Sequence, residues 1–200
     1  MTTLHAHDAL AVAAAVPAGL WVADFVSAVA HWIGDTFFDS KTPLLGVIID
    51  PFRLHHDDPQ AFRRHDFLQR NRNNCLAVVP LLALVHFLPP LGDTSRPFWG
   101  AMLASAAITL AGATQIHAWA HDDDAPRAVR CLQRWGILLS AERHACHHRG
   151  AHDRSYGIVN GWANGVLDRT RFFRRMETFL AHLGLRASTI EEARRGSPAR

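Results

Sequence analysis

Long apolar runs alternate with polar, basic segments along the 200-residue chain. The runs at 9–33 and 97–121 contain one carboxylate between them, Asp24, and each exceeds the roughly 20 residues that a transmembrane helix needs. A third run, 73–91, reaches this length when the asparagines at its start are counted. The pattern predicts an all-α integral membrane protein with about three transmembrane helices, at roughly 9–33, 73–91 and 97–121.

The segments between and after these runs have patterns of their own. The segments 126–140 and 170–185 interleave apolar residues with arginines, which is typical of amphipathic helices at a membrane interface. The segment 52–74 is polar and basic, and Pro51 directly before it and Pro59 within it break it, so it predicts a cap of short helices. The polar composition of 186–200 predicts a disordered tail after a single membrane-embedded domain at 1–185.

The positive charges predict which side of the membrane the polar segments occupy. All but one of the 21 Lys and Arg residues lie at 34–74 or after residue 121. Cytoplasmic loops near the ends of spans carry an excess of such residues, so both segments are expected to be cytoplasmic. This topology accounts for the net charge of +3 without nucleic acid as a partner, and no zinc-finger or aromatic-basic motif indicates one.

The start of the chain and its cysteines indicate the cellular compartment of the protein. The first apolar run lacks a basic segment before it and is too long for the core of a signal peptide, which favours an uncleaved span. The three cysteines form no CxxC pair and predict a reducing compartment without a disulfide framework.

A histidine-rich stretch at 144–152 is the strongest chemical signal. If it is helical, His144, His147 and His148 fall at i, i+3 and i+4 and share one face. His152 follows one turn later. Imidazoles grouped in this way favour a metal site over a histidine-rich surface turn, provided that further histidines reach the same place.

Other histidines are expected at the same cytoplasmic level. His117 and His121 form an i, i+4 pair at the end of the third span, which is a common spacing for helical metal ligands. His31 lies at the cytoplasmic end of the first span, and His55 and His56 lie in the cap. Eight or nine imidazoles exceed the three or four of a zinc site and fit two metals of higher coordination better. An all-histidine pair of sites beneath the hydrocarbon suits oxidation of a lipid chain by O2.

Six more polar residues are candidates for orienting or directly binding the metals from nearby positions. For Asp24, a hydrogen bond to a neighbouring helix is the alternative; for His65, a surface or lipid-phosphate contact; for the two asparagines, a helix cap. The six are Asp24, Asp35, His65, Asn71, Asn74 and Asp122.

Four motifs in order carry a family resemblance from about residue 20 to 180. They are ADFVSAVAHWIGDT at 23–36, FRLHHDDPQAFRRHDFLQRNRNNCL at 52–76, QIHAWAH at 115–121 and HACHHRGAHDRSYGIVNGWAN at 144–164. Together they resemble the Kua/transmembrane-189 family of lipid desaturases, which contains CarF-like plasmanylethanolamine desaturases.

The resemblance implies a non-haem di-iron oxidoreductase that uses O2 to form the vinyl ether bond of plasmalogens from the sn-1 alkyl ether chain of a membrane phospholipid. It implies that no catalytic residue is needed beyond the metal centre. It also implies which histidines hold the two iron ions: His31, His55, His56, His117, His121, His144, His147, His148 and His152.

The electron donor and the location of the protein are predicted from the motifs that the sequence lacks and from its composition. No flavin or nicotinamide fingerprint is present, so an external donor, cytochrome b5-like or ferredoxin, is expected to supply electrons. The Arg-rich, nearly Lys-free composition favours a bacterial source, and hence an inner-membrane enzyme whose active site faces the cytoplasm.

Three alternative functions stay open at this point. The same chemistry can act on a phospholipid-bound acyl chain, such as palmitate in phosphatidylglycerol, as in plant-type relatives of the family. A membrane zinc hydrolase is disfavoured because no HExxH glutamate is present. A non-enzymatic metal-binding membrane protein or transporter should carry histidines along its spans, whereas here they cluster at one face.

Overall fold

The structure is a computed structural model that describes residues 6–37, 54–87, 96–149, 152–185 and 187. Within these ranges it contains helices, turns and loops but no strand, which confirms the all-α prediction. The tail predicted at 186–200 lies outside the described residues, apart from Ala187.

Eight α-helices follow one another along the described chain. Between the first two lie a short helical turn at 54–57 and a 3-10 helix at Ala61–Arg64. The α-helices are α1 Ala6–Thr36, α2 Phe67–Phe87, α3 Arg96–Ala111, α4 Ala113–Ala120, α5 Arg127–Arg134, α6 Ala141–His148, α7 Asn164–Arg169 and α8 Phe172–His182.

The apolar runs correspond to the long helices. Among the described residues, α1 is the one helix that is long and apolar enough to cross a membrane, through its stretch Asp8–Thr36. The bent pair α3 and α4 provides a second if it counts as one span. Helix α2 begins six residues before the predicted start at 73, and residues 88–91 lie outside the described chain. It does not reach the same combination of length, apolarity and low charge, so a three-span topology stays a prediction.

The third apolar run is not one continuous helix, and this part of the prediction was wrong. The chain bends by 55° at Gly112, between α3 and α4. Side chains of α2 supply hydrogen bonds to backbone groups on both sides of the bend. The Cys75 thiol donates to the Ala111 carbonyl oxygen at 3.7 Å, and Asn71 Oδ1 accepts the N–H of Gln115 at 3.1 Å. A helix break costs less when its freed backbone groups are satisfied in this way.

Helix α3 lies at the centre of the helix packing. Both α1 and α2 pack against it, whereas α1 and α2 barely contact each other. Gly19 lets α1 approach closely, because a Cβ there would lie 1.9 Å from Ser105 Oγ and 2.4 Å from the Met102 carbonyl oxygen of α3. The approach brings the C-terminal ends of α1 and α4 to the same side of the bundle, where the polar segments meet.

Two apolar clusters hold the segment 155–163 against α1. One contains Ala23, Ile116 and Val159, and the other contains Trp32 and Tyr156. All five side chains are at least nine-tenths buried. The segment therefore reaches the end of α1 where His31 lies.

Candidate metal centre

All nine histidines predicted as metal ligands meet at the end of the bundle. They form three overlapping groups, in each of which one nitrogen per ring lies within 4.8 Å of the others. The groups are His55, His117, His121, His144 and His148; His31, His55, His56 and His147; and His56, His148 and His152.

Five parts of the chain deliver these rings. The histidine-rich stretch is helical up to His148, as α6, and Ser140 caps this helix by accepting the Arg143 N–H at 3.4 Å. The i, i+3, i+4 spacing puts His144, His147 and His148 on the side of α6 that faces the centre. The remaining rings come from the end of α1, from the helical turn at 54–57, and from α4 with its C-cap. The exception is His152, which lies in the loop after α6.

The first group has the spacing of ligands around one ion. His144 Nε2 lies 2.8 Å from His117 Nε2, and 2.9 Å from the Nε2 atoms of both His121 and His148. A neutral imidazole has a single N–H, so these three contacts cannot all be hydrogen bonds donated by His144. Two nitrogens that bind one metal at about 2.1 Å and at right angles are about 3.0 Å apart. The observed spacing therefore fits a shared cation.

The second group contains a carboxylate. Asp35 Oδ2 lies 3.3 Å from His31 Nε2, 3.1 Å from His56 Nε2 and 3.4 Å from His147 Nε2. Asp35 is buried, as are the three imidazoles around it. Its carboxylate is therefore placed to bind a cation directly, which is one of the two roles that the sequence left open.

Backbone carbonyls fix the orientation of two rings in this group. The Nδ1–H of His31 donates to the Tyr156 carbonyl oxygen at 3.0 Å, and that of His147 donates to the Arg154 carbonyl oxygen at 2.8 Å. In a neutral ring this leaves the lone pair on Nε2, directed at the Asp35 oxygen. Two lone pairs that face each other are stabilised by a cation between them, so the donor set fits a metal.

Burial favours the neutral form of four imidazoles outside the helical spans. Burial, together with smaller contributions from neighbouring imidazoles, lowers the pKa of His121 to about 4 and that of His148 to about 2. Burial likewise holds the pKa values of His55 and His144 well below the ordinary histidine value. Because metals bind neutral imidazole, these rings are ready to act as ligands near neutral pH. Imidazole ligands suit zinc, copper, iron and nickel alike.

The carboxylate of Asp24 holds a loop instead of facing the imidazoles. Its Oδ1 accepts the backbone N–H groups of Val159, Asn160 and Gly161 at 3.0, 3.1 and 3.0 Å, and its Oδ2 accepts that of Ala163 at 2.9 Å. The residue is fully buried. Asp24 thus has a structural role through long-range hydrogen bonds, which the sequence favoured less than a role beside the metals. Its partner is a loop, whereas the sequence alternative was a neighbouring helix.

A glycine makes the close approach of this loop possible. A Cβ at Gly157 would lie 2.8 Å from both carboxylate oxygens of Asp24 and 2.9 Å from Asn164 Oδ1. Asn164 Oδ1 also accepts the Gly157 N–H at 2.8 Å. The loop that Asp24 anchors follows directly after the two carbonyls that orient His31 and His147. Sequence reasoning missed this function of the loop, although the glycines at 157 and 161 are typical of a turn.

The two candidate asparagines lie at the bend and not among the imidazoles. Asn71 caps α4 at Gln115, and Asn74 Nδ2 donates to Thr114 Oγ1 at 2.9 Å. Since His117 lies in α4 and His121 is its C-cap residue, these bonds help to set the direction in which both rings point.

The last two candidates lie at the edge of the site. His65 is exposed and belongs to none of the three histidine groups among the described residues, and its carbonyl oxygen accepts a hydrogen bond from Arg70. Asp122 Oδ1 accepts the N–H of Asp124 at 3.0 Å in the turn after α4.

Comparison with known proteins agrees with the motif resemblance. A family model described as a lipid desaturase domain matches residues 20–188. The chain belongs to the lipid desaturase domain family. No solved structure matches it significantly.

Three curated relatives of this lipid desaturase domain have informative names. The chain is 36% identical over 167 residues to plasmanylethanolamine desaturase of Myxococcus xanthus, covering 83% of the chain and 59% of the relative. It is 36% identical over 174 residues to plasmanylethanolamine desaturase 1 of Mus musculus, covering 84% and 64%. It is 34% identical over 189 residues to the chloroplastic fatty acid desaturase 4 of Arabidopsis thaliana, covering 93% and 57%. The chain thus spans about three fifths of the length of these relatives.

Proposed function

We propose that this chain is an O2-dependent membrane lipid desaturase that forms the vinyl ether bond of plasmalogens from the sn-1 alkyl ether chain of a plasmanyl phospholipid. The observation that carries the proposal is the cluster of nine imidazoles and one carboxylate at the end of a helix long enough to cross a membrane. Family membership and the names of the two plasmanylethanolamine desaturases support the ether-linked substrate.

We infer that the histidine groups hold two iron ions. His117, His121, His144 and His148 would bind one, and His31, His56 and His147 with Asp35 would bind the other. His55 belongs to both groups, and His152 joins His56 and His148 at the edge. When bound, the irons supply the oxidising chemistry that removes one hydrogen from each of two adjacent chain carbons.

The protein's own residues prepare the site for this reaction. The carbonyls of Tyr156 and Arg154 orient two rings, and burial keeps water away from five of the nine imidazoles. In the balanced reaction, O2 takes two hydrogens from the chain together with two electrons and two protons from outside, which gives two waters. A cytochrome b5-like protein or a ferredoxin is the proposed donor.

We further propose a three-span topology in a bacterial inner membrane. The histidine centre faces the cytoplasm, on the side where almost all Lys and Arg residues lie. This places the centre at the level where the head-group end of a lipid chain meets the polar region.

The test is lipid analysis of cells that express the protein and receive an alkyl ether lipid precursor. Wild type should form acid-labile vinyl ethers, and His148→Ala should not. His182→Ala is the matched control, because His182 is an exposed histidine of α8 outside the three groups. Purified wild type should contain about two iron atoms per chain. Vinyl ethers in His148→Ala cells at the wild-type level, or none in wild type, would refute the proposal.

The second candidate is desaturation of a phospholipid-bound acyl chain. The likeness to fatty acid desaturase 4, which covers 93% of this chain, favours it over other functions. The same lipid extracts distinguish the two, since ordinary acyl unsaturation without vinyl ethers supports the second. Stoichiometric zinc with turnover that does not need oxygen would point to a hydrolase and contradict both.

A further inference from the structure

An apolar groove leads away from the histidine centre along the helices. It has a cavity volume of about 370 Å³ and lies between α1 and α2, with α3 as its floor. Both outer helices pack on α3 but barely contact each other, so the groove opens sideways between them. Ala30 of α1 and Ala77 of α2 line it and are exposed at this opening.

The lining of the groove suits a hydrocarbon chain and does not suit a polar ligand. No charged side chain or histidine among the described residues lines it. Its polar side chains are already engaged: Asn74 with Thr114 at 2.9 Å, and Ser27 with the carbonyl oxygen of Asp24 at 2.8 Å and the N–H of Ile158 at 3.2 Å. A ligand that needs hydrogen bonds would lose them on entering, whereas an alkyl chain loses none.

The groove has a defined direction relative to the histidines. Ala30 precedes His31, and Thr114 lies one turn before His117, so these lining residues mark the end beside the centre. Val22, Leu81 and Leu103 line the far end. Eight residues separate Val22 from Ala30, which is about 12 Å along a helix. An extended alkyl chain advances about 1.25 Å along its axis for each C–C bond of about 1.5 Å, so this length holds about ten carbons.

We propose that this groove binds one alkyl chain of a membrane lipid, with the carbons nearest the head group beside Ala30 and Thr114 and the following carbons running towards Leu81 and Leu103. The assignment rests on the proposed function and adds the direction in which the alkyl chain lies. The carbons that reach the histidines are then the first ones of the chain, which is where a vinyl ether forms. The chain enters sideways from the bilayer through the gap between α1 and α2.

Photolabelling tests the chain's position without needing turnover. The probe is an alkyl ether phospholipid with a diazirine near the tenth carbon, offered to the purified full chain in phosphatidylcholine vesicles. Peptide mapping should place the label around Val22, Leu81 and Leu103. A diazirine on one of the first chain carbons should instead label the region of Ala30 and Thr114. Labels spread evenly over the outward-facing Leu76 and Val79, which are 70% and 58% exposed, would overturn the inference.

A variant that fills the groove provides the second arm. Ala77→Phe adds a ring at the opening without entering the core, and it should reduce groove labelling by about tenfold or more. Ala14→Phe is the matched control, because Ala14 is an exposed alanine of α1 outside the groove and should leave labelling unchanged. Equal labelling of the two variants would overturn the inference.

The outcomes separate this inference from the proposed function. Correct labelling in a protein that forms no vinyl ether would keep the groove and refute the function. Vinyl ether formation with label outside the groove would refute the groove alone.

Discussion

Replacing Asp24 by asparagine should damage the metal centre from a distance. Asp24 contacts none of the nine histidines among the described residues, yet its carboxylate accepts four backbone N–H groups of the loop at 159–163. The same loop continues from the carbonyls of Tyr156 and Arg154, which orient His31 and His147. Asp24→Asn keeps the size of the side chain and removes its charge and one acceptor.

The size of the effect follows from the four bonds. The amide NH2 of asparagine would face the N–H of Ala163, which leaves a buried donor unsatisfied at a cost of about 1–3 kcal/mol. The other three bonds change from charged to neutral acceptors, a loss of about 1 kcal/mol each. Because these terms are not additive, we expect about 3–5 kcal/mol less stability, which is large for a single substitution.

Thermal unfolding and metal analysis of the purified protein measure the outcome. A loss of 3–5 kcal/mol should lower the Tm by about 10 °C in a chain of this length. Iron content should fall as well, because His31 and His147 lose their fixed orientation. Gly157→Ala should act in the same direction with Asp24 intact, since its Cβ would lie 2.8 Å from both carboxylate oxygens.

Asp123→Asn is the matched control, because Asp123 is exposed and the same chemical change there should cost less than about 0.5 kcal/mol. If Asp24→Asn had the Tm and iron content of Asp123→Asn, the loop would not support the centre and the reasoning would be wrong. A lower Tm with full iron content would limit the role of Asp24 to stability.

Two further substitutions test how the centre is held. Asp35→Asn removes the negative charge that lies within 3.4 Å of three imidazole nitrogens, so bound iron should fall from about two per chain to about one by elemental analysis. Asn71→Ala removes the acceptor for the N–H of Gln115 at the bend, so the protein should lose about 1–2 kcal/mol of stability in thermal unfolding and bind less iron through α4.

Each of these two substitutions has a matched control variant. For Asp35→Asn it is again Asp123→Asn, and unchanged iron content would show that the carboxylate is not part of the metal site. For Asn71→Ala it is Asn73→Ala, because Asn73 lies on the same helix and makes no side-chain hydrogen bond among the described residues. Equal Tm values for the two asparagine variants would contradict the role of Asn71 at the bend.

The sequence alone predicted which histidines lie together and which local structure carries them. If helical, the spacing of His144, His147 and His148 puts the three rings on one side of a helix, and all three lie in α6. Apolar runs predicted the long helices, and four motifs predicted the family, which is confirmed. These features depend on residues within a few turns of one another, so periodicity and composition are enough to recognise them.

The tertiary structure alone decided the bend at Gly112, the partners of Asp24 and the place of Asp35. Asp24 and Val159 are 135 positions apart, and no local pattern links them. The bend depends on side chains of α2 that satisfy the backbone of α3 and α4. The groove exists because α1 and α2 pack on α3 and leave a gap between them. Contacts of this kind arise only when distant segments are packed together, and hydrophobic burial, which drives the packing, has no direction of its own.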